Sequence, residues 1–359
     1  MSNQGRQMDF TDMYAGEQLR KIHKLSDFLP RLKAMIPWEM FRPTLIGIHE
    51  KQEKSGMGAP AFDVLFMFKI LVLQTVHNLS DEQTELQIRD RLSFRSFLDL
   101  SLSDRVPDAK TIWLFKEKCK NAELEQVLFD RFHKILAENG VVLKSGVMVD
   151  SSFIEVPRRR CTKEENEAIQ EGKIPRSLAE NPRRLAQTDC DAMLTRKGNE
   201  SHFGYKDHVA GDSATKYIAT YAVTPAEVHD NNPFLDTVPE KAEPDGQPVH
   251  ADSAYMSKAN DEALRQRGFT PEICERGVRG KPLTDEQKES NRVKSKIRCR
   301  VEHIFGAMVA HGIGTTLRTI GFARARFGIG IRNLVYNLSR FVTTRTRRRR
   351  KLRLKRRPA

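Results

Sequence analysis

The hydrophobic pattern of the chain changes at Gly140, and this change limits what the chain can fold into. Before it, apolar residues recur at helical spacing, as in residues 124–132, and the closing Asn-Gly pair is typical of a helix end. After it, short β-branched runs replace that spacing, and the first of them ends at Asp150. The sequence therefore predicts an all-helical N-terminal domain over residues 1–140 and a second domain over residues 141–342.

The second domain has an order of segments that predicts one mixed sheet. Residues 203–210 and 216–224 alternate apolar and polar positions around a turn, which indicates a hairpin. Further strands are predicted at residues 248–252 and 269–274, each beside a helical segment. A hairpin followed by alternating helices and strands is typical of an α/β fold with helices packed on the sheet. Residues 157–201 are charged and poor in large apolar side chains, so we expect a surface insertion there.

Positive charge is concentrated at the C-terminus. Residues 345–357 hold ten Lys or Arg and no acid, and subtracting these ten charges from the net +14 leaves +4 for the rest of the chain. Such a charge points to a polyanionic partner, because each neutralised phosphate releases counterions. Residues 343–359 are predicted to be a disordered basic tail, in which Arg347 and Arg348 bind DNA without sequence preference.

Several classes of protein are excluded by the sequence. The five cysteines include no close pair, which argues against a disulfide framework and a zinc site and favours a reducing compartment. The most apolar segment, residues 64–76, contains Lys69 and is shorter than the ~20 residues of a membrane span. With no secretory pattern at the N-terminus, we expect a cytoplasmic protein with no membrane partner. Residues 277–281 lack the spacing of a phosphate loop, so no nucleotide cofactor is expected.

Three carboxylates are the candidates for a metal site. Asp150 lies on the first predicted strand, Asp252 ends the fourth and Glu302 lies on a late helix, positions that this topology brings together. Phosphoryl transfer uses two divalent cations roughly 3.5 to 4 Å apart, which clamp the attacking and leaving oxygens. Hard oxygen ligands suit Mg²⁺, with Mn²⁺ as a substitute. We therefore expect these acids to be catalytic and to bind two such ions in each active site.

The helix that carries Glu302 has an apolar stripe and a charged edge. Arg298 and Glu302 are four residues apart on this edge, so the acid can face the metals while the Arg reaches a phosphate. The alternative is a solvated ion pair between the two, which is the commoner reason for this spacing. The stripe, predicted to pack on the sheet, consists of Val293, Ile297, Val301, Ile304, Phe305 and Met308.

Short sequence blocks are more specific than any single acid. They are Asn78-Leu-Ser-Asp81, Arg89-Asp-Arg-Leu-Ser-Phe94, Pro107-Asp-Ala109, Val149-Asp150, His202-Phe-Gly-Tyr-Lys206, Ala251-Asp-Ser-Ala-Tyr255 and Arg298-Cys-Arg-Val-Glu-His-Ile-Phe-Gly306. The first three resemble the N-terminal helical region of bacterial insertion-sequence DDE transposases, and the others resemble the catalytic blocks of that family. The resemblance is to the group named after insertion sequence five, within the broader insertion sequence four superfamily.

This resemblance implies a ribonuclease H-like catalytic domain and a DNA transposase. Asp150, Asp252 and Glu302 would bind the metals, and Arg298 would contact a phosphate. The implied reaction is hydrolysis at inverted-repeat ends by a metal-activated water, followed by attack of the released 3′-hydroxyl on target DNA. The implied partners are the terminal repeats and target DNA, bound by a homodimer in a synaptic complex associated with the bacterial nucleoid.

DNA contacts are predicted for basic residues within these blocks and just before the last of them. They are Lys206 on the hairpin and Lys294, Lys296, Arg298 and Arg300 on the late helix. Two positions depart from the family pattern, since Ser295 and Val309 stand where it has Tyr and Lys.

Two alternatives to a transposase remain open. The chain is otherwise a nuclease of the same fold that cuts without strand transfer, or a non-catalytic DNA-binding derivative. Recognition of the inverted repeats is predicted for residues 1–140, where residues 92–118 have helix-turn-helix spacing.

Overall fold

The computed structural model describes residues 10–25, 28–48, 60–141, 143–277, 280, 282–314 and 316–355. Contacts divide the chain into two units, one formed by Met1–Arg131 with Leu334–Ala359 and the other by Phe132–Asn333. The predicted domains differ, because residues from 334 onward group with the N-terminal unit. Within the described ranges, no helix combines the length and the apolar character that crossing a membrane requires.

The N-terminal region is helical, as predicted. The helix α4 is apolar on nearly every face and is buried, in agreement with the buried helix expected at residues 64–76. Asp63 caps it, because its carboxylate accepts hydrogen bonds from the backbone N–H groups of Leu65 and Phe66 at 2.9 and 3.0 Å. The helices are α1 (Phe10–Leu25), α2 (Phe28–Met35), α3 (Arg42–Leu45), α4 (Val64–Val76), α5 (Asp81–Asp90), α6 (Leu92–Phe97), α7 (Ala109–Asn121) and α8 (Leu124–Glu138).

The helix-turn-helix predicted within residues 92–118 is not formed. Residues 98–108 separate α6 from α7, and this connection is longer than the three- or four-residue turn of that motif. Asp108 ends the connection by accepting a hydrogen bond of 2.7 Å from the backbone N–H of Thr111, so α7 has its own N-terminal cap.

One mixed sheet organises the second unit. Its strands are β1 (Val147–Glu155), β2 (Met193–Lys197), β3 (Glu200–Asp212), β4 (Ile218–Pro225), β5 (Pro248–Ala251) and β6 (Thr270–Ile273). Their order is β2-β3-β1-β5-β6, and β4 also pairs with β3. The strand β1 is antiparallel to β3 and parallel to β5, which is parallel to β6. The predicted α/β, ribonuclease H-like fold is confirmed.

Helices cover both faces of this sheet. The helices that follow β1 in the chain are α9 (Lys163–Gln170), α10 (Arg176–Ala179), α11 (Pro182–Leu185), α12 (Phe234–Thr237), α13 (Lys258–Gln266), α14 (Asp285–Arg298), α15 (Glu302–Ala310) and α16 (Phe322–Lys355). Val149 packs with Phe234 and Leu264 in one buried cluster, whereas Ile154 packs with Ile329 in another. Because side chains alternate along a strand, these two residues of β1 point to opposite faces.

The predicted surface insertion at residues 157–201 is partly built into the sheet. Its N-terminal part forms α9, α10 and α11, which surround a small buried cluster of Ile169, Leu178 and Met193. An ion pair of 2.6 Å joins Glu165 and Arg184 across these helices. Its C-terminal part is β2, which pairs with β3 and was not predicted as a strand.

The late helix is interrupted, and its predicted stripe is only partly buried. A 3-10 turn, Cys299–Val301, separates α14 from α15. Val301, Ile304 and Met308 are buried as expected. Val293 is 53% exposed, because α14 leaves an open cleft beneath this part of its length.

The predicted disordered tail is largely helical. The helix α16 continues to Lys355, so residues 343–355 extend it, and residues 356–359 lie outside the described residues. After Gly330 the helix contains no Gly or Pro, and its Arg, Lys and Leu residues have high helix propensity. The high positive charge of residues 343–355 was therefore not sufficient to predict that they are disordered.

Gly204 marks a close approach between β3 and β1. It pairs with Glu155 and has a φ of 148°, a value that L side chains rarely adopt. A Cβ at this position would overlap the carbonyl oxygen of Ile154. The glycine of the His202-Phe-Gly-Tyr-Lys206 block is therefore required by the backbone of the sheet.

A charged pair is buried between β3 and the first turns of α16. Asp207 is fully buried, and its Oδ2 lies 3.6 Å from Nη1 of Arg332, whose side chain is 3% exposed. Asn333 donates a hydrogen bond of 2.9 Å to Oδ1 of the same carboxylate. Burial raises the pKa of Asp207 to about 6, although the Arg332 charge and the Asn333 hydrogen bond oppose this rise. The same burial lowers the pKa of Arg332.

This pKa predicts that Asp207 makes stability depend on pH. Because the folded-state pKa of about 6 exceeds the ordinary value of 3.8, the folded protein holds this proton more tightly than the unfolded chain does. Its stabilising contribution is complete below the lower pKa and is lost as pH rises through about 6. We expect the free energy of unfolding of the wild type, relative to Asp207→Asn, to fall by roughly 1 to 3 kcal/mol over this interval.

Urea unfolding followed by circular dichroism between about pH 4 and pH 7 measures this difference. Asp285→Asn is the matched control, because Asp285 is exposed on the first turn of α14. Wild-type and Asp207→Asn curves that stay parallel across the interval would contradict the assignment.

Candidate active site

The parallel pairing of β1 with β5 places two of the predicted acids side by side. Met148 lies opposite His250 in this register, and Asp150 and Asp252 each follow two residues later. Residues in register on neighbouring strands lie ~5 Å apart and point to the same face. The two acids therefore lie side by side, with Asp150 inside β1 and Asp252 directly after the end of β5. The sequence predicted that the first strand ends at Asp150, but β1 continues to Glu155, because its later residues pair with β3.

Local hydrogen bonds hold both carboxylates in place. Asp150 accepts a hydrogen bond of 2.8 Å from the backbone N–H of Ser151. Asp252 caps the 3-10 turn Ser253–Tyr255, accepting a hydrogen bond of 2.8 Å from the N–H of Ala254. Each acid keeps oxygen lone pairs for a further ligand, since an ionised carboxylate has about four acceptor positions.

Asp150 lies in an environment that opposes its ionisation. Burial is the main cause that raises its pKa, and the negative charge of Asp252 raises it further. The hydrogen bond from Ser151 and the charges of Arg298 and Lys197 act in the opposite direction. A partly buried carboxyl next to a second acid is therefore a place where a cation is stabilising.

Tyr255 provides a second indication of this acid cluster. It is 1% exposed, and its pKa is raised first by burial and then by the charges of Asp230, Asp150 and Asp252. Asp230 was not predicted as part of the site, because it precedes no recognisable motif and reaches the cluster only through the fold. Tyr255 belongs to a block quoted above, but the sequence assigned it no role.

Arg298 lies between Asp150 and the third predicted acid, Glu302. Its Nη1 is 3.7 Å from Oδ2 of Asp150, and its Nη2 is 3.9 Å from Oε1 of Glu302. Charge-assisted hydrogen bonds are roughly 2.7 to 2.9 Å long, so these are ion pairs without hydrogen bonds. The ion pair expected between Arg298 and Glu302 is thus present, but Arg298 also pairs with Asp150 of the sheet.

The structure brings the three predicted acids into one region without assembling them as ligands. Glu302 begins α15, and its side chain is 64% exposed. Across the residues that the structure describes, no group of three or more His, Cys, Asp or Glu is close enough to hold a metal ion. Asp150 and Asp252 are adjacent, whereas Glu302 is linked to them through Arg298.

The donor chemistry of this region fits a divalent cation. Carboxylate oxygens are the ligands that Mg²⁺ and Mn²⁺ prefer. The guanidinium of Arg298 already lies between two of these carboxylates, which shows that positive charge is stabilised there. Asp150, Asp252 and Glu302 are accordingly the residues that would hold such an ion.

Lys206 is not presented to a ligand. Its side chain is 8% exposed, and its Nζ lies 2.8 Å from Oδ1 of Asp230. It also donates a hydrogen bond of 2.7 Å to the carbonyl of Val228 and lies over the ring of Phe153. Its charge is therefore held in a buried ion pair that fixes the loop after β4, and the DNA contact of Lys206 stays a prediction.

The other predicted DNA contacts differ in exposure. Lys294 donates to the carbonyl of Ile273 at 3.1 Å and lies 3.7 Å from Glu272, so its charge is already paired. The remaining predicted contacts with described side chains are exposed, namely Lys296, Arg300 and Arg347. The side chain of Arg348 lies outside the described part of the chain.

The two positions that depart from the family pattern have ordinary surroundings. Ser295 lies 3.7 Å from the thiol of Cys274, and Val309 is 58% exposed. Next to Glu302, Nδ1 of His303 contacts Nζ of Lys216 in the turn between β3 and β4. Lys216 therefore contacts the residue that follows Glu302, whereas Val309 carries no charge.

Comparison with known proteins identifies two domain families along the chain. Residues 17–118 match a family described as a transposase domain (DUF772). Residues 143–338 match the transposase DDE domain and include Asp150, Asp252, Arg298 and Glu302.

Solved structures give weaker likenesses. A piggyBac transposase synaptic complex with hairpin DNA has 12% sequence identity and a TM-score of 0.43, with 86% of this chain and 74% of that chain covered. A pre-cleavage Mos1 transpososome has 10% identity and a TM-score of 0.25, with coverages of 81% and 80%. Both TM-scores are too low to support a conclusion. The DDE domain match alone spans more than half of the sequence, and the protein therefore belongs to the DDE transposase family.

Proposed function

We propose that this DNA transposase cuts DNA at the inverted-repeat ends of its element and joins the released 3′-hydroxyl to target DNA. The supporting observation is that Asp150 in β1 and Asp252 after β5 are adjacent, with Arg298 and Glu302 beside them. We also assign the protein to the transposase group named after insertion sequence five, on the sequence blocks described above.

Membership of the DDE family implies a divalent metal, Mg²⁺ or Mn²⁺. Bound there, two such ions would supply the Lewis acidity that stabilises the attacking and leaving oxygens. Asp150 and Asp252 would hold them from neighbouring strands, and Glu302 from the start of α15. The buried Tyr255 and the surrounding sheet exclude water from one side of these carboxylates.

Arg298 has a second task in this proposal. Its ion pairs with Asp150 and Glu302 are long, so they break at little cost when these acids bind another cation. The guanidinium is then available for a bidentate contact with a DNA phosphate. Arg298 thus keeps the two acids together before the reaction and contacts the substrate during it.

The proposed partners are DNA and a second copy of the chain. The exposed side chains of Lys296, Arg300 and Arg347 supply contacts to DNA phosphates, which are worth more at low salt. Binding of two element ends in one complex is the reason for proposing a dimer. We further propose that residues 1–140 contact the terminal repeats.

Removing the carboxylate of Glu302 is expected to abolish cleavage. With a supercoiled plasmid carrying the DNA that flanks the reading frame, Glu302→Gln should cut on the order of 100-fold more slowly than the wild type, or worse. Asp150→Asn and Asp252→Asn should behave alike, because each removes a charged metal ligand. Glu286→Gln is the matched control, since Glu286 is exposed on the first turn of α14.

Wild-type activity in Glu302→Gln would remove this residue from the site. If all three acid variants retained every measurable function, the protein would instead be a non-catalytic DNA-binding derivative.

Strand transfer distinguishes a transposase from a nuclease. We expect pre-cut duplex ends, incubated with the protein, Mn²⁺ and a target plasmid, to become covalently joined to the plasmid. Gel electrophoresis of labelled ends measures the joined product. Cleavage of uncut ends without any joined product would favour the nuclease.

Replacing Arg298 is expected to change metal binding and catalysis in opposite directions. In Arg298→Gln, Mn²⁺ should bind about tenfold more tightly, because a unit positive charge a few Å from Asp150 has been removed. DNA cleavage should fall by at least about tenfold, because the phosphate contact is lost. Electron paramagnetic resonance of free Mn²⁺ measures the first effect without any activity assay.

Arg292→Gln serves as the control, since Arg292 is exposed on the same helix and pairs only with Glu289 at 3.4 Å among the described residues. Weaker Mn²⁺ binding in Arg298→Gln would mean that the guanidinium assembles the site and does not compete with the metal.

A further inference from the structure

An open cleft of about 490 Å³ lies beside the carboxylate site, between the sheet and α14. The residues that matter for its chemistry come from two strands, the helix and the turn after it. They are His250, Glu272, Lys294, Ile297 and Arg300. Of these residues, the proposed function uses only Arg300, as an exposed contact to DNA phosphates.

The cleft has one unneutralised positive charge. Lys294 and Glu272 are 3.7 Å apart and cancel each other. Arg300 is exposed and has no hydrogen bond or ion pair with any residue that the structure describes. Because Arg presents several N–H donors in a planar fork, a free guanidinium at the rim of a cleft matches a phosphate.

His250 adds a polar group inside the cleft. The side chain is 5% exposed, and its Nδ1 has no hydrogen-bond partner among the described residues. A buried ring nitrogen without a partner is costly, unless a ligand or water supplies the missing hydrogen bond. His250 therefore has capacity to bind something that enters the cleft.

The cleft and the carboxylates share two elements. His250 and Asp252 are two residues apart at the end of β5, so they point to the same side and are separated by about 7 Å. Arg300 lies midway between Arg298 and Glu302 in the chain. Successive nucleotides of a DNA strand rise about 3.4 Å, so the cleft is one or two nucleotides away from a phosphate held at the carboxylates.

We propose that this cleft is a second phosphate-binding subsite, in which Arg300 binds a DNA backbone phosphate one or two nucleotides from the cleaved bond. His250 orients that phosphate from inside the cleft, and Glu272 holds Lys294 in place beneath it. The subsite fixes the register of the strand without reading its bases, since phosphates are the same in every sequence. This inference rests on the proposed function, which supplies the DNA strand.

The test compares DNA binding by the wild type and Arg300→Gln in the full-length protein. Fluorescence anisotropy with duplex oligonucleotides copied from the flanking DNA gives the affinity at several salt concentrations. We expect Arg300→Gln to bind about tenfold more weakly and to lose about 0.9 from the slope of log affinity against log salt. Because Arg300 is exposed and unpaired in the described structure, this substitution does not threaten folding.

A chemical change in the DNA identifies the phosphate. A neutral methylphosphonate one or two nucleotides from the cleavage site should weaken binding by the wild type. It should not weaken binding further in Arg300→Gln, because the same contact is already lost. Arg292→Gln, which changes an exposed residue of α14 outside the cleft, should respond to the methylphosphonate like the wild type.

Equal salt slopes and equal methylphosphonate effects in the wild type and Arg300→Gln would overturn the subsite. A competition experiment with inorganic phosphate is a further test. If phosphate displaces DNA from the wild type but not from Arg300→Gln, the result further supports the subsite. These results are distinguishable from a failure of the proposed function. If the protein shows these binding effects but neither cuts nor joins DNA, the subsite is supported and the proposed function is wrong. If the protein cuts and joins DNA, but Arg300→Gln binds DNA as the wild type does, the proposed function is supported and the subsite is wrong.

Discussion

The register between β1 and β5 is the constraint on which the site depends. These strands share a short parallel ladder, and a slip of one residue would turn Asp252 to the opposite face from Asp150. The buried side chains of Val147, Val149 and Val249 prevent such a slip, because they pack in one cluster on the other face of the strands. The apolar core thus determines where the two acids lie.

Adjacent acids create an electrostatic problem that the chain solves with basic side chains. Asp150 and Asp252 repel each other, and burial makes the ionised state of Asp150 still less favourable. Arg298 lies near enough to Asp150 and Glu302 to offset part of this cost while forming no hydrogen bond to either. A stronger bidentate pair would stabilise the fold more, but it would also occupy the oxygens that a metal needs. In the function that we propose, the long contacts leave these oxygens available to a metal ion.

Much of the fold was predictable because its pattern is local. Short apolar runs predicted the strands next to Asp150 and Asp252, although β1 continues beyond Asp150 to Glu155. The mixed sheet follows from the order of these strands with the hairpin. The strand β2 was missed because its exposed, charged residues resemble a surface loop. The helical tail was missed because charge was weighed above helix propensity.

Contacts between residues that are far apart in the chain could not be predicted from the sequence. Lys206 was read as a surface cation, yet its partner Asp230 lies 24 positions away in no recognisable motif and is reached only when β3 and the loop after β4 fold together. Asp207 and Arg332 are a second case, since their burial depends on where α16 crosses the sheet. For the site itself, the sequence predicted which acids take part. The position of Arg298 between two of them, and the adjoining cleft, became visible only in the folded structure.

Gly204 has a consequence for tracing the descent of such chains. A side chain at this position is forbidden by the neighbouring backbone. Asp150, Asp252 and Glu302, in contrast, are retained for the reaction that we propose. A descendant that stops acting on DNA is free to replace the acids, but it must still accommodate the carbonyl of Ile154. Glycine at this position is thus a marker of ancestry, and the carboxylates are a marker of continued use.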